Sequence, residues 1–387
     1  MRSRPSEIPA TSILRLILLL AISHASFGGA RLAISLQALQ LQASPFEVGL
    51  LMSLMMLVPT FVAVPIGRWV DRAGYRRPAA ISLAGVVAGL LLAAALPTLA
   101  GLALTSVVVG SAFMIAHVGV NNAIGHLAGA AGRARAFGLM AVGFSLSALV
   151  GPLLAGVAID TVGYRFAFLL LALPAALAGL LLRDAPPLPP REEEQAVARK
   201  GVADLLRLSR LRAVLIVSAM ISAGWDLFTF LVPLHGARSG LSATAIGIVA
   251  GAFGVGSATV RMLLPWIARR VSEWRLIAAA LVLSATGYLL FPFCTTASTM
   301  VPLAFALGLV LGSGQPTVMS LLHVAAPPNR TGEAVGLRSA MISLGQTVLP
   351  LGFGAVGSAV GMLPLFWGVA LAMGAGGAYA ATRRNVE

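Results

Sequence analysis

From Ile13 to Ala381 the chain is a succession of apolar runs, each about as long as a bilayer is thick, separated by short polar breaks. In hydrocarbon every backbone N–H and C=O must be satisfied within the protein, so runs of this length become helices. Water is excluded as the main solvent: 58% of the 387 residues are hydrophobic and 10% are charged, whereas a soluble domain carries about 25% charged residues. The spacing predicts twelve spans, 12–38, 46–67, 79–99, 101–125, 136–159, 164–183, 211–236, 243–267, 276–295, 299–323, 334–358 and 361–381. Most exceed the ~20 residues a crossing requires, which predicts tilt or kinks.

The formal net charge is +14, but the basic residues form no patch interleaved with aromatic ones, so no nucleic-acid partner is expected. They fall in alternate loops instead: Arg2 and Arg4, Arg68 to Arg77, Arg133 and Arg135, Arg183 to Arg212, Arg269 to Arg275, Arg330, and Arg383 with Arg384. The intervening loops hold little beyond Arg165 and Arg238. This asymmetry predicts that the basic loops and both termini are cytoplasmic and that the number of spans is even. A lone cysteine, Cys294, leaves no internal disulfide. The histidines are scattered without metal-ligand spacing and no phosphate-binding glycine loop with a lysine is present, so neither an enzyme, a metal nor a cofactor is expected.

Between the sixth and seventh spans lies "RDAPPLPPREEEQAVARKGVADLLRLSRLR", a proline-rich and then mixed-charge stretch. It reads as a cytoplasmic linker over 184–210, ending in a short interfacial helix, with six-span bundles at 1–183 and 211–387. The halves align without a gap at a separation of 198 residues. Ser44 falls on Ser242, Gly49 on Gly247, Arg72 on Arg270, Gly110 on Gly308, Pro152 on Pro350, Gly156 on Gly354 and Gly163 on Gly361. Extended backward, this register sets the first span opposite the seventh. "ILRLILLLAI" behind Arg2 and Arg4 is therefore expected to belong to the fold and not to a cleaved signal.

The stretch "GRWVDRAGYRRP" gathers five charges in twelve residues. Gly67, Asp71, Arg72, Gly74, Arg76 and Arg77 resemble the signature that the major facilitator superfamily carries between its second and third helices, with Tyr75 where many members have a further basic residue. The resemblance covers nearly the whole chain. It implies an all-α membrane protein of twelve transmembrane helices, in two six-helix bundles related by a parallel repeat. It implies a secondary transporter, working by alternating access in a bacterial-type inner membrane and functional as a monomer. Its partners would be a small-molecule substrate, protons and the lipid bilayer. In such a fold Asp71 would sit near the N-terminus of helix 11, where a helix dipole favours an anion, and latch the bundles on the inside. A second resemblance, to the Gly-Pro signature of drug/proton antiporters, lies in "SALVGPLLAG". Gly151, Pro152 and Gly156 would form a bendable interface there, with Ser147 and Ala155 replacing glycines. Against export, "TSVVVGSAFM" in helix 4 lacks the arginine that proton-coupled antiporters place ahead of that glycine.

Ionisable groups inside the spans cost at least a few kcal/mol and need a partner, water or a function. Asp226 is the single acid well inside a span, and Arg31 lies at matching depth on the helix related by the repeat. Arg261, His24, His117, Gln315 and Gln346 complete the candidate substrate and proton site. Two readings follow. One is proton-coupled export of an amphipathic or drug-like compound, with Asp226 as proton carrier. The other is a proton-linked permease for a small organic anion, met by Arg31 and Arg261. Glu47 is expected to be structural, closing a capping box with Ser44 ahead of Pro45.

Overall fold

The computed structural model describes residues 10–185, 203–327 and 330–383, and at positions 10, 62–64, 67, 68, 71, 130, 131, 133, 134 and 203 the backbone alone. The first half comprises α1 (Ala10–Gln40), α2 (Pro45–Ala73), α3 (Arg76–Ala95), α4 (Leu99–Leu127) and α5 (Gly129–Arg183). A five-residue helix, α6 (Ala203–Arg207), precedes α7 (Ser209–Arg238), α8 (Ala243–Ile267), α9 (Glu273–Leu290), α10 (Ala297–Ala325), α11 (Thr331–Val360) and α12 (Met362–Thr382). Ten of these are long and apolar enough among the described residues to cross a membrane. α5 crosses twice, because Gly163 at φ 80° breaks its direction, and α2 adds the apolar stretch Pro45–Phe61. Twelve crossings result, in two bundles of six. The fifth and sixth spans, expected as separate helices, are joined through that single residue. Most of the expected linker, 186–202, lies outside the described residues.

The ends of the helices follow from local chemistry. Ser44 accepts from Glu47 N while the Glu47 carboxylate accepts from Ser44 N at 2.7 Å, with Pro45 at the first helical position. Both bonds satisfy donors that a helix leaves orphaned at its start. Thr98 and Ser242 cap α4 and α8 in the same way, accepting from Gly101 N and Ala245 N. Gly74 ends α2 at φ 70°, a conformation that suits glycine.

The 198-residue register recurs in the packing. A Cβ at Gly110 would strike the Met55 carbonyl, and one at Gly308 the Phe253 carbonyl, so α4 crosses α2 as α10 crosses α8. The seams between bundles repeat likewise. Gly247 of α8 lies against the Pro152 carbonyl of α5, and Gly49 of α2 against the Pro350 carbonyl of α11. Gly156 meets Ala243, and Gly354 meets Pro45. Without a hydrophobic drive between helices in lipid, such close backbone approaches are what van der Waals packing selects.

We call the side bearing α6 and the 73–76 turn the linker face, and the side of the 40–45 and 238–243 turns the far face. One continuous apolar core joins the far half of the first bundle to the second bundle. The linker half of the first bundle has its own core, built around Leu20, Val70, Ile124 and Leu182. Between Thr331 and Leu349 of α11 only Ala334 and Arg338 are buried. The bundles are therefore closed together at the far face, while α11 is uncovered over most of its circumference toward the linker face.

Candidate functional site

At the seam, α1 and α5 of the first bundle and α7 and α8 of the second enclose a cavity of about 160 Å³. Gly28 and Gly29 let α1 lie close to α5, since a Cβ at Gly29 would stand 2.8 Å from the Gly151 carbonyl. Gly151 in turn admits the Ala25 carbonyl. The lining is aromatic, with Phe27 and Phe144 on one side and Trp225, Phe228 and Phe253 on the other. Phe228 stacks on Phe253 at 4.1 Å between ring centroids, and Trp225 meets Phe253 edge-on at 4.6 Å. These contacts fix the ring orientations and leave faces to the cavity.

Three of the candidate substrate and proton-site residues line this cavity, His24, Arg31 and Arg261, together with Pro152 of the α5 signature. His24 shares a hydrogen bond with Ser147 across 2.6 Å, and its ring lies edge-on to Phe144 at 4.8 Å. Arg261 crosses the seam from α8, donating through one terminal nitrogen to the Ala141 carbonyl and to Ser145 Oγ of α5, both at 2.8 Å. Its guanidinium also lies 5.7 Å from the Trp225 ring centroid, and its Nε is buried without a partner among the described residues. Arg261 is thus half engaged in structure and half turned to the cavity. Arg31 makes no side-chain hydrogen bond or ion pair among the described residues.

Asp226 stands apart from the lining. It is buried and accepts from Gln346 Nε2 of α11 at 3.1 Å. Arg31 and Asp226 form no ion pair within 4.0 Å. Counting residues gives the depth of a side chain along a helix but not the direction in which it points, which packing decides. Gln315 and His117, paired by the repeat, are not brought together. Gln315 Nε2 donates to Ser222 Oγ at 3.1 Å and its carbonyl accepts from Arg338. His117 packs on Phe113 and Phe144 at 5.7 and 5.5 Å, with Nδ1 unpartnered among the described residues.

The network around Arg338 was not anticipated. The residue is 9% exposed, and its guanidinium donates to Ser218 Oγ at 2.7 Å and to Gln315, with no carboxylate among these partners. An arginine seven residues inside α11 reads in sequence as the edge of a span, and the serines that receive it are silent there. In the turn after α2, Arg76 donates to the Arg183 carbonyl at 2.7 Å, at the negative end of α5. Arg72 and Arg77 are exposed and Tyr75 is buried. The side chain of Asp71 and the surroundings of Gly67 lie outside the described residues.

The class C tetracycline resistance protein of Escherichia coli is 26% identical to the chain over 325 residues, 78% of each protein. Among solved structures, the nucleoside transporter NupG superposes with a TM-score of 0.78 at 15% identity, covering 96% of this chain and 99% of its own. A peptide transporter, POT, gives 0.80 at 14% identity over 98% and 96%. At these identities the two structures establish the fold alone. The sequence profile of the Major Facilitator Superfamily matches residues 16–350 and again 240–386, and the chain belongs to that superfamily of membrane transporters.

Proposed function

We propose that the protein is a proton-coupled exporter of an amphipathic, ring-bearing small molecule, working by alternating access between the two faces. The observation that carries this reading is the aromatic cavity built jointly by both bundles at their seam. A solute held there touches both bundles, so it has a different set of contacts whenever they move, which is the condition for a ligand to bias a conformational equilibrium. The likeness to a tetracycline resistance protein supports export. The alternation of basic loops supports a cytoplasmic linker face and cytoplasmic termini in a bacterial-type inner membrane. The reading assigns Asp226 as the proton carrier, electrostatically coupled to Arg31 and hydrogen-bonded to Gln346. An acid whose separation from an arginine changes between two states gains and loses a proton once per cycle. Asp71 is assigned the latch at the linker face, and Gly151, Pro152 and Gly156 the flexible seam at α5.

One observation favours a second reading, a permease for a small organic anion. The cavity lining holds two guanidinium groups, Arg31 and Arg261, and no carboxylate, because Asp226 is turned to Gln346. Purified protein in vesicles with a pH-sensitive dye inside separates the readings. Proton movement driven by lipophilic neutral or cationic ring compounds, and not by small carboxylates, is the expected result. Movement driven by carboxylates alone would replace export with the anion permease, and no substrate-dependent proton movement would remove proton coupling.

A further inference from the structure

The first crossing of α5 ends at the far face with Asp160, three residues before the break at Gly163. Its carboxylate reaches across the seam to the other bundle. One oxygen accepts from Ala243 N at 3.1 Å and the other from Thr244 N at 2.7 Å. These are the first two N–H groups of α8, which have no partner within their own helix, and they lie at its positive end. Ser242 Oγ takes the next donor, Ala245 N, at 3.2 Å. The start of α8 is thereby completed by a charged residue of the opposite bundle. Among the described residues Asp160 makes no ion pair that would compete for it.

The repeat supplies a comparison within the same molecule. Asp160 falls on Ser358 and Thr244 on Phe46, and Ser358 Oγ of α11 accepts from Phe46 N of α2 at 3.0 Å. At the remaining position Ala243 falls on Pro45, which has no N–H to give. The two far-face seams thus share one design, with two bonds to a carboxylate at α5–α8 and one bond to a hydroxyl at α11–α2. Hydrogen bonds to a charged group are worth roughly twice those to a neutral one. None of these bonds survives separation of the bundles.

We infer that Asp160 is a positioning residue for transport: by capping α8 it holds the far face shut, and its release is required for the site to open there. The inference rests on the alternating-access reading above. It also places the main clasp of this face on one seam, with Ser358 as a weaker counterpart on the other.

The test uses single-cysteine proteins, with Cys294→Ser as background and Thr229→Cys in the cavity as reporter, reconstituted in vesicles with the far face outward. Labelling by a membrane-impermeant maleimide is followed in time. Asp160→Ala is expected to raise the labelling rate at least roughly tenfold, the size of one net charge-assisted bond out of the two it loses, Asp160→Asn, which keeps one acceptor oxygen, by less, and Ser358→Ala roughly twofold to threefold. Ala243→Pro removes one donor and leaves the carboxylate in place. The helix tolerates it, because Ser242 at φ −65° and ψ 158° already has the conformation of Ser44 ahead of Pro45, φ −66° and ψ 159°. It is expected to fall between wild type and Asp160→Ala. Unfolding temperature and labelling from the linker face are measured alongside: a misfolded variant would lower the first and raise the second, whereas opening of the far face in a folded protein lowers linker-face labelling. Labelling of folded Asp160→Ala from the far face at the wild-type rate would overturn the inference. If the reporter stays sealed even in Gly49→Leu, whose side chain must part α2 from α11, alternating access fails and the inference with it.

Discussion

Gly49→Ala is expected to part the bundles at the far face while leaving each bundle folded. A Cβ on Gly49 would stand 2.2 Å from the Pro350 carbonyl oxygen and 3.0 Å from its carbon, whereas real Cβ contacts essentially never fall below 3.0 Å. The obstacle is backbone at the middle of α11, so no rotamer change relieves it. The helices must separate locally by at least about 0.8 Å, the gap between those two distances. One methyl forced into a packed site costs ~1–3 kcal/mol. Because α2 and α11 belong to different bundles, that cost falls on the closed arrangement and not on the open one. The closed-to-open ratio should therefore drop by roughly five- to 150-fold. Gly110→Ala is the control: its Cβ would stand 1.8 Å from the Met55 carbonyl, but α4 and α2 lie in one bundle. The cost there falls on both arrangements and lowers the unfolding temperature without shifting the ratio. Spin labels at Gln42 and Val360, read as a distance distribution in lipid nanodiscs, report the seam directly. A wild-type distribution in Gly49→Ala, or an equal shift in Gly110→Ala, would refute the assignment of these glycines to seam and bundle.

Asp226→Asn should abolish accumulation driven by a pH gradient while substrate binding and counterflow exchange survive, because asparagine keeps the bond with Gln346 but carries no proton. Accumulation at the wild-type level, measured in vesicles, would move the proton site to His24 or His117. Arg338→Met leaves Ser218 and Gln315 without their charged donor and should cost about 2–4 kcal/mol of stability, read as a lowered unfolding midpoint. Arg31→Gln, by contrast, breaks no side-chain hydrogen bond among the described residues, and should change the midpoint by under about 1 kcal/mol. It should weaken an anionic ligand tenfold or more if the permease reading holds, and equal destabilisation of the Arg31 and Arg338 variants would make Arg31 structural.

The spans, the half repeat and the capping box at Ser44 were legible in the sequence, because apolar length and helix-end chemistry are local properties. The directions of Arg31 and Asp226 were not legible: Asp226 points to Gln346 and Arg31 to the cavity, and that choice is made by packing among α1, α7 and α11. The Arg338 network joins α7, α10 and α11 through serines that carry no sequence signal. Asp160 was passed over as a residue at a span end. Aligning it with Ser358 at the 198-residue separation, two hydrogen-bond acceptors each preceding a helix break by three residues, was the signal that could have found it.

Gly163 at φ 80° and Gly361 at φ 85° are one-residue elbows, each the whole connection between consecutive crossings. A connection of one residue has no slack, so the fifth crossing cannot tilt without carrying the sixth, nor the eleventh without the twelfth. Each pair works as a bent lever whose longer arm lies on a seam and whose shorter arm ends at Arg183 or Thr382. Lengthening either elbow by a few flexible residues would leave both arms able to fold and remove the mechanical linkage between them. The turn at 239–242, four residues long, offers no such leverage.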